Sequence, residues 1–277
     1  MRFTKMHGIG NDFIVADAFN QIIFDPNALA RRVCDRRTGI GADGLILMCP
    51  SERGDAFMRI INSDGSEPEM CGNGVRCAAK FMYDSGLCRK EEMDIDTLAG
   101  VKHITLEISD GQAVAASVDM GAPVFDPALI PVAADSNIVT VELDGRPVRF
   151  FCVSMGNPHA VTFDFFPDDE EFARFGPYME SHPLFPAKAN IEFCRIDSPD
   201  SVTVKVWERG CGATLACGTG SCAVLAAGAS LGLLERSAEI HLPGGTLRDC
   251  WQADQHIMMT GPAETIFAGE IRQDFAR

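Results

Sequence analysis

Long apolar runs are missing from this sequence. No stretch approaches the roughly 18–20 consecutive apolar residues of a membrane-spanning helix, so no membrane partner is expected. The opening residues, MRFTKMHGIGNDF, lack a signal-peptide apolar core, from which we expect a cytoplasmic protein. Basic residues are scarce: 24 Lys and Arg stand against 39 Asp and Glu, a formal net charge of −15. A field of that sign repels phosphate backbones, so no nucleic-acid partner is expected, and an anionic substrate must be held by local donors. CxxC pairs are absent although there are eleven cysteines. Cys71, Cys77, Cys217 and Cys222 are spaced at five or six residues rather than as metal knuckles, so no metal is expected. The odd cysteine count argues against a disulfide framework and for reduced thiols, most of them small buried hydrophobes.

What is present is the composition of a folded globular chain, 46% apolar and 23% charged. Its 277 residues suffice for one large domain or two medium ones. Strand-like runs occupy 13–16, 45–48, 57–61, 103–108, 113–118, 139–143, 148–153, 202–207, 240–242 and 257–260. Asp110-Gly111 and Asp144-Gly145-Arg146-Pro147 read as hairpin turns. Helices are expected over 27–34, 74–85, 170–181 and 220–234, and Met120-Gly121-Ala122-Pro123 is the candidate boundary.

An internal echo organises the chain. EMCGNGVRCAAKF surrounds Cys71 and LACGTGSCAVLAAG surrounds Cys217, 146 positions later. Each copy reads C-G-x-G, then a second cysteine, then an Ala-rich helix, as two equivalent halves would. A cysteine at a helix start faces the free N–H groups and the positive end of the dipole, which should lower its pKa. The same N–H groups form a cradle for a carboxylate. Two such thiols provide what inversion of an amino-acid Cα requires: one removes the α-proton and the other delivers a proton to the opposite face. Neither step needs a cofactor. Cys77 and Cys222 lie further into the helices and read as core.

The blocks KMHGIGNDFIVAD, RRTGIGADGLI, INSDGSEPEMCGNGVRCAAKF, SMGNPHAV, ANIEF and ERG…TLACGTGSCA occur in order over essentially the whole chain. On these the sequence resembles the diaminopimelate epimerases. The resemblance implies an α/β (α+β) fold of two pseudo-symmetric halves, each a β-sheet wrapped around a central helix, with the active site in the cleft between them. The expected division is 1–119 plus 263–277 for the half with Cys71, and 120–262 for the half with Cys217. The implied reaction interconverts LL- and meso-2,6-diaminopimelate on the way to lysine and peptidoglycan precursors, in a homodimer. Cys71 and Cys217 would be the acid/base pair. Gly72, Asn73, Gly218 and Thr219 would bind the reacting carboxylate through backbone N–H groups. His159 and Glu208 would contact the α-amino group and tune the thiols. Asn11, Asn62, Asn157, Asn190 and Arg209 would fix the rest of the small-molecule substrate.

Taken singly, several of these residues have plainer readings. Asn11, Asn62 and Asn157 could be turn formers, His159 a core histidine, Asn190 a loop closure, and Glu208 with Arg209 a local ion pair. His7, His103, His182, His241 and His256 read as structural. The sequence also departs from the family pattern, with Cys211 and Ala213 in ERGCGAT, and with Trp207 where Tyr or Phe is common. A racemase of the same fold acting on histidine or on several amino acids is the rival enzyme reading. Proline racemases typically carry C-G-H-G where Asn73 stands here, and the phenazine-biosynthesis relatives lack the cysteine pair. An amino-acid-binding protein and a thiol-redox protein are the readings from other classes.

Overall fold

A computed structural model of the chain describes residues 1–272. The backbone divides into two compact units, Met1–Asp119 together with the segment from Thr260 onward, and Met120–Met259. Residues 273–277, assigned to the first half from the sequence, lie outside the described residues.

The first unit runs β1 (Arg2–Gly8), β2 (Asn11–Asp17), α1 (Pro26–Val33), β3 (Gly44–Cys49), β4 (Ala56–Asn62), α2 (Gly72–Asp84), β5 (Glu92–Thr97), β6 (Gly100–Ser109) and β7 (Gln112–Asp119). Strand β1 pairs antiparallel with β2, and β2 parallel with β3 after the crossover through α1. Next, β3 pairs antiparallel with β4, β4 parallel with β5 across α2, and β5 antiparallel with β6.

The second unit runs β8 (Ile138–Leu143), β9 (Arg146–Ser154), β10 (Pro158–Thr162), α3 (Asp169–Glu180), β11 (Asn190–Ser198), β12 (Ser201–Glu208), the two-residue β13 (Gly212–Ala213), α4 (Gly218–Ser230), β14 (Ser237–Leu242), β15 (Gly245–Trp251) and the start of β16 (Ile257–Pro262), whose residues from Thr260 belong to the first unit. Its pairings repeat the series: β9–β10 antiparallel, β10–β11 parallel across α3, β11–β12 antiparallel, β12–β14 parallel across α4, and β14–β15 antiparallel. The echo seen in the motifs is thus an echo of topology. Strand β17 (Glu264–Glu270) then pairs antiparallel with β1.

A parallel pair needs a crossover, and in both units the second crossover is the central helix. In α4 residues 222–227, CAVLAA, are all fully buried. A helix apolar on every side has no solvent face, and the small side chains let the sheet approach it closely. Helix α2 is also largely buried but carries Arg76 and Lys80. Arg76 donates to Gly72 O (3.1 Å), Asn73 Oδ1 (2.9 Å) and Pro262 O (3.3 Å), so its buried charge is hydrogen-bonded. Lys80 donates to Ala113 O and pairs with Asp84 at 2.8 Å. Each unit has its own apolar cluster, around Ile14, Leu45 and Ile61 in the first and Phe150, Ile191 and Phe193 in the second.

The structure refines two sequence expectations. The hairpin at 144–147 turns within Asp144 and Gly145, both at positive φ, and Arg146 and Pro147 already belong to β9. Helix α4 ends at Ser230 rather than 234 because Gly232 takes φ +71° and Leu234 folds back onto Gly228, where an added Cβ would lie 2.5 Å from Leu234 Cδ1.

Candidate active site

Each C-G-x-G cysteine is the N-cap of its unit's central helix. Cys71 has φ −142° and ψ 118°, and Cys217 has φ −133° and ψ 108°. Each extended cysteine turns its side chain back over the first helical turn. Cys71 Sγ accepts from Gly74 N–H at 3.4 Å, and Cys217 Sγ from Gly220 N–H at 3.3 Å. Sulfur here takes the place that a Ser or Asp oxygen takes in an ordinary N-cap. The amides of Gly72 and Asn73, and of Gly218 and Thr219, lie in the same turns, where N–H groups have no acceptor within their own helix.

The described neighbours of Cys71 include two side-chain amides. The thiol donates to Asn11 Oδ1 at 3.7 Å, the same oxygen that accepts from Asn73 Nδ2 at 3.3 Å. Asn11 in turn donates to Asp43 Oδ2 at 2.7 Å, and Arg36 binds both Asp43 and Asp12 at 2.8 Å. Asn62 stands apart from this group: its amide donates to Ser66 Oγ at 3.0 Å in the turn after β4, although Gly44 beside Asp43 is its partner across the sheet. Cys71 itself is half-buried.

Around Cys217 the neighbours are acids. Cys217 is 4% exposed. Burial, with Glu208 and Glu192 nearby, pushes its thiol well above the ordinary range, and the Thr219 hydroxyl and Gly220 N–H only partly oppose this. The expected lowering by the helix terminus is therefore overturned at Cys217. A terminus contributes about 0.3–1 kcal/mol, less than one pKa unit, whereas burial can shift a group by roughly 3–5 units. The thiol form is the resting state at this position. Burial also raises Glu208, against hydrogen bonds from Thr214 (2.6 Å) and Cys217 and the proximity of His159.

His159 and Glu192 form a fully buried pair, Nδ1 to Oε1 at 2.7 Å, while His159 Nε2 lies 3.0 Å from Asn157 Oδ1. Asn157 Nδ2 donates to Thr219 Oγ1 at 3.3 Å, and that hydroxyl is 3.6 Å from Cys217 Sγ. Asn190 is a positioning group in this fold: it donates to Pro158 O at 2.9 Å and accepts from Arg209 N–H at 2.9 Å. The exposed Arg209 side chain donates to Ala187 O at 3.2 Å.

The departures from the family pattern are accommodated locally. Trp207 packs on Gly176, where an added Cβ would lie 2.4 Å from the indole, and its Nε1 donates to Glu180 at 2.9 Å. Cys211 and Ala213 are exposed. Cys77 and Cys222 are fully buried, as their place in the helices implied, and none of the eleven cysteines is in a disulfide. Sequence reasoning missed Glu192, Thr214 and Asp43. Only Glu192 had a signal: it is the single acid in the run Asn190–Cys194, where all five residues are buried.

Among the described residues no helix is long and apolar enough to cross a membrane. Solved structures share the fold at low identity. A probable proline racemase from Agrobacterium radiobacter superposes with a TM-score of 0.71 at 18% identity over 99% of this chain and 93% of that one. A Bacillus anthracis phenazine biosynthesis protein gives 0.66 at 17% over 98% and 99%. Sequence relatives are much nearer. The diaminopimelate epimerase of Carboxydothermus hydrogenoformans is 50% identical over 98% of this chain and 99% of its own length. That of Acetivibrio thermocellus is 48% identical over 98% of both. The family profile described as diaminopimelate epimerase matches residues 3–125 and 151–266. With both helix-capping cysteines inside those matched segments, the chain belongs to the diaminopimelate epimerase family.

Proposed function

We propose that this protein interconverts LL- and meso-2,6-diaminopimelate by proton transfer between Cα and two cysteine side chains, Cys71 and Cys217. The observation that carries the reading is the pair of thiols, each capping a central thirteen-residue helix beside amides suited to a carboxylate. The near-half identity to enzymes of that name supports the choice of substrate.

In one direction Cys71 as thiolate takes the α-proton while Cys217 as thiol gives its own to the opposite face. The C–H electron pair is delocalised into the substrate carboxylate, whose growing charge is met by N–H groups of the helix starts. The carbanion then takes the Cys217 proton, leaving Cys71 protonated and Cys217 as the thiolate. The reverse reaction starts from that state. Cys217 lies among acids that disfavour its thiolate, and the substrate α-ammonium supplies a compensating cation beside Glu208. Asn11, Asn62, Asn157 and Arg209 hold the remainder of the molecule, with Asn190 positioning the Arg209 backbone and the planar Arg209 guanidinium suited to the distal carboxylate. No cofactor takes part, the enzyme acts as a cytoplasmic homodimer, and the functional halves are 1–119 with 263–277, and 120–262.

The test is incubation with LL-diaminopimelate, and with histidine and proline as rivals, in heavy water. Meso product carrying deuterium at one Cα is expected from the first substrate alone. Binding without any deuterium uptake would leave an amino-acid-binding protein as the better reading.

A further inference from the structure

Glu192 has no part in the scheme above, yet it is the most completely enclosed acid near the reacting groups. Its side chain and that of His159 are both fully buried, and its Oε2 has no hydrogen-bond partner. An acid placed this way is costly unless what it holds compensates for the burial. Oε1 touches His159 Nδ1 at 2.7 Å, and a Cβ added at Gly220 would lie 2.8 Å from Oε1 and 3.1 Å from Cys217 Sγ. Carboxylate and sulfur therefore flank one glycine Cα.

Resting on the two-thiol reading, we propose that Glu192 is a positioning residue for Cys217. It fixes the His159 ring by Nδ1, the ring fixes the Asn157 amide, and that amide fixes the Thr219 hydroxyl beside Sγ. The hydrogen-bond directions support this. Asn157 Oδ1 can only accept, so His159 Nε2 carries a proton, and the Nδ1–Oε1 contact holds a second one. The pair is neutral overall whichever atom bears that second proton. With Nε2–H aimed at Oδ1, the Asn157 NH2 has to face Thr219 Oγ1, and the hydroxyl proton of Thr219 is left for sulfur. The geometry thus supplies a donor to the Cys217 thiolate that the cysteine needs only after it has delivered its proton. Burial raises the Glu192 carboxyl, with His159 acting against this and Glu208 adding to it.

Ionisable groups face Cys217 from three strands and from its own helix: His159 from β10, Glu192 from β11, Glu208 from β12, and Cys222 on α4, itself near Asp249 of β15. Because the His159–Glu192 pair is neutral, Glu192→Gln removes no net charge from beside the thiol; it loosens the ring and with it the hydroxyl that faces sulfur. Glu192→Gln, in the full-length protein, is expected to lower kcat roughly tenfold, a fraction of what acid–base catalysis contributes, with KM within about twofold. Its kcat/KM profile should shift toward higher pH, because the thiolate loses a donor. In histidine-¹⁵N-labelled wild type, a low-field Nδ1 proton is expected at His159, and it should be lost in Glu192→Gln. A variant with an unmoved pH profile and a kcat within about twofold overturns the proposal, as does a lowered melting temperature with unchanged kinetics. If Glu192→Gln does not fold, the wild-type spectrum decides: absence of the low-field proton overturns the assignment. Retained epimerisation in Cys217→Ala sinks the two-thiol reading itself. An inactive Cys217→Ala beside an unaffected Glu192→Gln sinks only the role given to Glu192.

Discussion

The two C-G-x-G turns share a backbone and differ in their chemistry. Both cysteines are extended N-caps, both accept from the amide three residues on, and both helices cross between parallel strands. Yet Cys71 is half-buried among the amides of Asn11 and Asn73, whereas Cys217 is buried among Glu192, Glu208 and the His159 pair. The helix terminus is a weak and short-ranged influence, so the groups from neighbouring strands decide what each thiol does. A duplicated motif can preserve a hydrogen-bonding device while the two copies become electrostatically unequal.

The largest effect expected from breaking this pair is on turnover. Cys71→Ala and Cys217→Ala should each reduce epimerisation by at least about 10³-fold, since each deletes an acid/base group. The exposed Cys211→Ala should retain most of the wild-type rate. Comparable residual activity in all three variants, measured by product stereochemistry, would falsify the special status of the helix caps.

Alanine at the third helical residue of each copy sharpens the contrast. At Gly220 the new methyl meets Glu192 Oε1 at 2.8 Å and Cys217 Sγ at 3.1 Å, both held in place. We expect a loss of about 1–3 kcal/mol, as for overpacked cores, together with impaired turnover. At Gly74 the nearest atoms are the tips of Ile46 and Ile60 at 3.2 Å, which can shift slightly. The gain of roughly 0.5–1 kcal/mol from replacing a helical glycine should then nearly offset the crowding. Denaturant melts of the two variants compare these outcomes directly, and equal destabilisation would count against the different seats described for the two sulfurs.

A smaller, pH-dependent effect belongs to the first unit alone. The Arg59 guanidinium holds Glu67 down to about 2 from an ordinary 4.5, with Asn27 assisting. Because the folded value is the lower one, this pairing stabilises the native state above pH 4.5, and the contribution fades as pH falls toward 2. Glu67→Gln should flatten that part of the stability–pH curve and leave the slope near neutrality unchanged. An identical acid limb in the variant would remove Glu67 from the account.

Much of this was legible before any coordinates. Alternating strands, Asp-Gly turns and the repeated motif predicted both central helices and the strands β4 and β12 that precede them, but not β5, β10 or β11; the capping geometry follows from a short side chain placed before Gly-x-Gly. The sign of the Cys217 shift was not legible. Glu192 sits 25 residues before Cys217 in the sequence and comes beside it only because β11 runs next to the helix. The apolar pattern continues to Leu234, four residues past the end of α4, while Gly232 and the packing of Leu234 on Gly228 stop the helix.

The amino-acid sequence by itself determined the four helices, ten of the strands and which two thiols cap the central helices, because these depend on local periodicity and turn chemistry. Tertiary structure alone decided that one thiol lies among amides and the other among acids. Desolvation and charge act through space, and the residues responsible are brought together by strand pairing rather than by proximity along the chain.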